Sequence, residues 1–183
     1  ITSLDADSNT VNPGAAKVNG TVAAPTKVLT VKNSGSLTLA TAAGSPAKGS
    51  IYWGQQNVPV SKFRISSTDE AQYIEILTIA ASVAAEATDA AANVKEVALT
   101  YKNKAGATLT TTQSFGNGAS VNFNWANTDE NRPYVPKDSN LDLSVNANMR
   151  TKAEGATQTT GTSAGALVQF SLDLVDVFNG SVA

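Results

Sequence analysis

The stretch LDLSVNANMR at residues 141–150 alternates without a break. Leu141, Leu143, Val145, Ala147 and Met149 form one row, and Asp142, Ser144, Asn146, Asn148 and Arg150 the other. Successive side chains of an extended chain point to opposite faces, so this is the pattern of a half-buried antiparallel strand. It does not suit a helix, whose apolar positions recur roughly every 3.6 residues. A sheet with one apolar face needs a second layer to bury it, and the rest of the chain has to supply that layer.

Other segments repeat the pattern. VNFNW (121–125) sets Val121, Phe123 and Trp125 against asparagines, and VKEVALTYKN (94–103) places Val97, Leu99 and Tyr101 on one face. ALVQFSLDLVDVF (166–178) turns Val168, Phe170, Leu172 and Leu174 inward. KVLTV (27–31) and SLTLAT (36–41) flank the turn signal KNSG, SIYW (50–53) reads as a further strand, and YIEILTIAASV (73–83) as another. TLTTTQSF (108–115) is a Thr-rich strand between the turns KNKAG and GNGA. In VPVSKFRISS (58–67), Val58 and Val60 share one face while Phe63 and Ile65 share the other. That change of phase requires an extra residue near Ser61–Lys62, a β-bulge. Only AASVAAEATDAAAN (80–93) favours helix, through its alanines. It lacks an apolar stripe and reads as a helical turn or loop crossing between sheets. About ten short strands separated by turns predict an all-β antiparallel sandwich or barrel, and the absence of long helices between strands rejects α/β.

Composition narrows the functions. A chain of 183 residues with 42% hydrophobic content can form a real core as one large or two small domains. Charged residues are only 15%, and a net charge of −2 with a pI near 5.1 gives no basic footprint for nucleic acid. No apolar run reaches the length of a membrane span; the longest, ILTIAASVAAEATDAAA, is broken by Glu86 and Asp89. With neither cysteine nor histidine there is no disulfide framework, thiolate metal site, thiol nucleophile or Ser-His-Asp arrangement. The paired carboxylates Asp69-Glu70 and Asp129-Glu130 sit in polar turns, where solvated charge explains them. SPAK at 45–48 matches S-x-x-K by letter but sits in a Gly/Ala/Pro loop without partner motifs. No enzyme is expected. Ile1 stands where a start methionine would, which leads to the expectation that a secretory signal has been removed and the protein is extracellular.

From residue 35 to about residue 175 the order of motifs resembles that of Ig-like β-sandwich domains in bacterial cell-surface proteins, of the S-layer and adhesin-like kind. A strand like Ser36–Ala40 leads through a variable loop to NVPVSKF (57–63). A strand of the V-x-I-x-x-L-x-I kind follows, here Tyr73–Ile79, and then NVKEVALTYKNKAG (93–106) and YVPKDSNLDLSVNANM (134–149). The resemblance implies a structural or adhesive surface module with no inherited catalytic residues. There is one such unit rather than a string of repeats, which favours a small subunit that assembles. RPYVPKDSN (132–140) is similar to the Tyr-Pro-Lys element of sortase-built pilins, but Val135 and Pro136 separate Tyr134 from Lys137, and a Pro-Lys turn into a strand is the simpler reading.

The remaining candidates lie mostly in residues 1–26, an extension ahead of a single sandwich domain over 27–183. DADSN places Asp5, Asp7 and Asn9 at alternate positions, as a calcium loop would, though the glycine and closing Glu of an EF-hand are missing. Calcium is the one cofactor the residues admit. Asn19 and Asn179 head N-glycosylation triplets. Tyr52, Trp53, Trp125 and Tyr134 offer aromatic faces for a glycan. Finally, Val18, Gly20, Val22 and Ala24 alternate as a row of small residues, suited to a strand that slides into a formed groove. The expectation is a homopolymer of a filament (pilus-like) or surface array in which this row completes the sheet of the next subunit, head to tail. The alternatives are that the tail pairs within its own domain, and that the protein is a monomeric adhesin or carbohydrate-binding module with a surface glycan or receptor as partner.

Overall fold

Alternation along single strands becomes two antiparallel sheets in the computed structural model, which describes residues 3–4, 10–11, 35–47, 49–83, 90–116, 118–156 and 168–179. The chain divides into two compact units, Ile1–Val31 and Lys32–Ala183. In the first, Ser3–Leu4 (β1) pairs antiparallel with Thr10–Val11 (β2). The second holds strands β3 (Ser36–Thr41), β4 (Val58–Thr68), β5 (Gln72–Val83), β6 (Val94–Lys102), β7 (Thr108–Ser114), β8 (Ser120–Asn124), β9 (Tyr134–Val135), β10 (Asn140–Met149) and β11 (Val168–Asn179). Two short helices, α1 (Ala90–Asn93) and α2 (Lys152–Ala156), lie in the connections.

The larger sheet has the order β3-β4-β10-β6-β7 and the smaller β11-β5-β8, with β9 also on β5. The chain passes from one sheet to the other between β4 and β5, through α1 between β5 and β6, and again between β7 and β8, β9 and β10, and β10 and β11. The 80–93 stretch therefore makes a crossing, as expected, although its first residues continue β5.

One core lies under both sheets. Leu141, Leu143, Val145, Ala147 and Met149 of β10 are buried there with Val121 and Phe123 of β8, Trp125, and Ile74, Leu77, Ile79 and Ala81 of β5. Val168, Phe170 and Leu172 of β11 pack against it half-buried. Trp125 can enter this core because its indole Nε1 donates to the Tyr101 hydroxyl at 2.9 Å, so its one polar group is satisfied. Their rings meet edge to face at 5.3 Å.

Bulges in β4, β5 and β6 adjust the rows so that these strands keep their apolar faces inward. In β4, Ser61 is opposite Val145 and Pro59 opposite Asn146, leaving Val60 as the extra residue. Burial changes phase there, from Val58 to Ser61, Phe63 and Ile65, one residue before the position read from the sequence. In β6, Glu96 is opposite Asn148 but Val94 is opposite Met149, so Lys95 is extra and the inward row runs Val94, Val97, Leu99, Tyr101. In β5 the ladder with β11 shifts around Glu75 and Ile76, and the inward row is Ile74, Leu77, Ile79.

One expected strand is absent: residues 50–53 form a loop and turn. Their neighbourhood sends its main-chain bonds to the end of β10, where Gly54 N donates to Arg150 O at 2.9 Å and Met149 N to Gln55 O at 2.8 Å. Gly54 has a φ of 76°, which suits glycine and ends any extended run. The strand expected over 27–31 lies outside the described residues.

Candidate functional site

Polar motifs that invite a chemical reading have structural partners. Ser45, the hydroxyl of the S-x-x-K match, accepts from Lys62 N at 3.0 Å and so satisfies a main-chain donor of β4. Asp69, in the left-handed region at φ 71°, donates its N–H to Asp138 Oδ1 at 2.7 Å, which ties the β4–β5 turn to the turn before β10. Asp129 Oδ1 accepts from Asn131 N at 2.8 Å, a local Asx turn. Neither carboxylate pair faces a second pair across a cleft.

A cleft of about 430 Å³ opens between the β6–β7 turn and the segment before β9, lined by Tyr73, Asn103, Lys104, Asp129 and Arg132 among others. Arg132 lies 4.1 Å from the centre of the Tyr73 ring and pairs with Glu75 at 3.0 Å. The two side chains are only 9% and 19% exposed. Tyr73 also meets Tyr134, its cross-strand partner on β9, at 5.0 Å. The Tyr73 hydroxyl holds the Lys104 ammonium above its ordinary pKa. This cluster clamps the β8–β9 connection onto β5.

The aromatic candidates do not converge. Trp125 is in the core and Tyr134 is against Tyr73. Trp53 Nε1 donates to Asn93 Oδ1 at 3.4 Å, with Lys152 5.7 Å from its ring, while Tyr52 stands 76% exposed on the same turn.

The feature with an unmet requirement is the β3 edge. β3 pairs with β4 on one side, Leu37 opposite Ser67, Leu39 opposite Ile65 and Thr41 opposite Phe63. Directly opposed residues lie on one face, and these partners are buried, so Leu37, Leu39 and Thr41 form an inward row. Leu39 is nevertheless 39% exposed. Among the described residues no strand pairs with the other side of β3. The six residues contain no charge and no proline, the devices that usually protect a sheet edge.

The proposed donor residues Val18, Gly20, Val22 and Ala24, the calcium candidates Asp5, Asp7 and Asn9, and Asn19 lie outside the described residues. Asn179 is the last residue of β11, with its backbone opposite Gln72. Among the described residues no group of three or more His, Cys, Asp or Glu side chains is placed to hold a metal ion. No helix among them is long and apolar enough to cross a membrane. Sequence reasoning missed the Glu75–Arg132 pair, for which alternation carries no signal, and α2, which a different local signal marks. Thr151-x-x-Glu154 is a capping box: Glu154 N donates to Thr151 Oγ1 at 3.2 Å and Thr151 N to Glu154 Oε2 at 2.8 Å. Neither a protein-family profile nor a curated protein sequence matches the chain.

Proposed function

We propose that this chain is a structural subunit of an extracellular filament, pilus-like, or of a surface array. In this reading it is a secreted Ig-like β-sandwich that joins its neighbours head to tail by donating a strand. The donated residues are those of the N-terminal extension, with Val18, Gly20, Val22 and Ala24 facing inward. The observation that carries the reading is the β3 edge, where an inward leucine is left partly uncovered on an uncharged strand. Such an edge is a template for pairing with another chain, and a donated segment supplies main-chain bonds and side chains together. A chain with no histidine or cysteine suits a structural role better than a catalytic one.

The test is a variant lacking residues 1–24, compared with the parent by electron microscopy and circular dichroism. It should fold and form no fibres or lattice. A truncated protein that polymerises as well as the parent overturns strand donation.

The second reading is a monomeric adhesin or carbohydrate-binding module. It is favoured by Tyr52, held beside Trp53 on an anchored turn and open to solvent. A parent protein that stays monodisperse at all concentrations and binds glycans through Tyr52 would replace the first reading with this one.

A further inference from the structure

We infer that the cleft between the β6–β7 turn and the segment before β9 binds one neutral sugar unit, held by the Asn103 amide and the Asp129 carboxylate. The site lies within one copy of the chain, so the inference does not depend on assembly. It goes beyond the second reading, which places sugar recognition at Tyr52.

Both walls are fixed before any ligand arrives. In the β6–β7 turn Asn103 N donates to Ala107 O at 3.1 Å, Gly106 N to Asn103 O at 3.0 Å, and Ala107 N to Asn103 Oδ1 at 2.9 Å. Gly106 has a φ of 80°, which glycine takes without strain. On the other wall Asp129 N donates to Ala126 O at 2.9 Å and Arg132 N to Asp129 O at 3.3 Å. Asn131 N donates to Asp129 Oδ1 at 2.8 Å, and the pair with Glu75 holds Arg132. Walls already ordered lower the entropic cost of seating a small ligand.

Each wall keeps one polar atom uncommitted. Asn103 is only 8% exposed and lines the cleft. Its Oδ1 is taken by Ala107 N, which fixes the orientation of the amide and leaves Nδ2 a donor with no partner among the described residues. Asp129 uses Oδ1 on Asn131 N, and its Oδ2 has no partner among the described residues. A donor on one wall and an acceptor on the other match adjacent sugar hydroxyls, since each hydroxyl both accepts and donates.

Charge and shape narrow the ligand further. Arg132 is neutralised by Glu75, so Asp129 and Glu130 outnumber Lys104 around the cleft, which disfavours an anion. Among the described residues only Ala105 and Tyr73 give the cleft apolar surface, and Arg132 lies over the Tyr73 ring. A peptide therefore finds no seat here for an apolar side chain. The volume of about 430 Å³ falls in the lower part of the ~300–1,000 Å³ range of small-molecule sites, which suits a ligand of this size.

The test is an amide-resolved NMR titration of the full chain with glucose, galactose, mannose and N-acetylglucosamine, one at a time. The expected result is that at least one sugar shifts the Lys104, Ala105 and Asn131 amides to saturation. D129N keeps an oxygen for Asn131 N, and N103D keeps one for Ala107 N, so both turns survive while each variant loses one sugar contact. Each should weaken binding about tenfold or more, with amides away from the cleft unchanged. If no sugar shifts any amide, the inference is overturned and the assembly reading stands. Shifts centred on Tyr52 and Trp53 that survive both substitutions overturn the cleft and favour the second reading's site. Shifts given by acetate, inorganic phosphate or N-acetylglycinamide but by none of the sugars overturn the ligand class. Cleft shifts with undiminished affinity in D129N and N103D overturn the two named groups.

Discussion

Leu39 lies directly opposite Ile65 across the β3–β4 ladder, and the two share the inward face, yet Ile65 is fully buried while Leu39 keeps 39% of its surface. Neighbours on one face of a sheet normally share their cover, because the opposing layer lies over both. Here that cover thins at Leu39, while Leu37 on the same strand still packs half-buried against the core.

The first prediction contrasts an inner with an outer leucine. Leu143 is fully buried at the centre of the core, so Leu143→Ala should cost about 2–5 kcal/mol in chemical denaturation. Leu39→Ala in the unassembled protein should cost well under that. Equal losses would mean that Leu39 is covered in the monomer.

Tyr101→Phe removes the acceptor of the Trp125 indole N–H and leaves that donor buried. The expected loss is about 1–3 kcal/mol, the usual penalty for an unsatisfied buried group. Denaturation followed by tryptophan fluorescence reads both the stability and the altered surroundings of Trp125. A change near zero would show that the indole finds another acceptor.

Gly35 enters β3 through a narrow place. A Cβ there would stand 2.7 Å from Thr68 O and 2.9 Å from Glu70 Cβ, and the nearest of these is a main-chain atom that cannot swing aside. Gly35→Ala should therefore push the start of β3 away from Thr68, costing about 1–3 kcal/mol and speeding amide exchange at Thr38 and Ala40. Unchanged exchange at those amides would show that the turn absorbs the methyl group elsewhere.

Glu154 has its carboxyl lowered from 4.5 to about 2, first by the Thr151 main-chain N–H, then by Lys95 and the Thr151 hydroxyl. A folded-state pKa below the unfolded one gives a contribution present above about 4.5 that is lost as pH falls through about 2. Carbon NMR of the Glu154 carboxyl should titrate with a midpoint near the lower figure. Thr151→Val, which keeps the backbone donor but removes the hydroxyl, should raise it. A midpoint near the ordinary value in the unaltered protein would mean that the cap does not form.

Much of the inward and outward assignment was legible in the sequence. Every residue assigned inward in LDLSVNANMR is buried, and Phe123, Trp125, Val97, Leu99 and Tyr101 are buried as read. The bulge in β4 left its mark as a change of phase, found one residue from its place at Val60. The bulge in β5 was also visible, in the spacing Ile74-x-x-Leu77-x-Ile79, although alternation alone hides it. SIYW was misread because local preference for extended structure cannot tell whether a ladder partner is present.

What the sequence determined by itself is the all-β class and which row turns inward along β6, β8 and β10, because period two is a property of one strand and its solvent. Tertiary structure alone decided that β10 lies between β4 and β6, which brings Arg64 onto Asp142 at 2.6 Å from 78 positions away. It also decided that Arg132 covers Tyr73, and that Leu39 stays partly exposed while Ile65 opposite it is buried. Strand order and the extent of the opposing sheet depend on which distant segments pack best together, a competition among whole strands that no local pattern records.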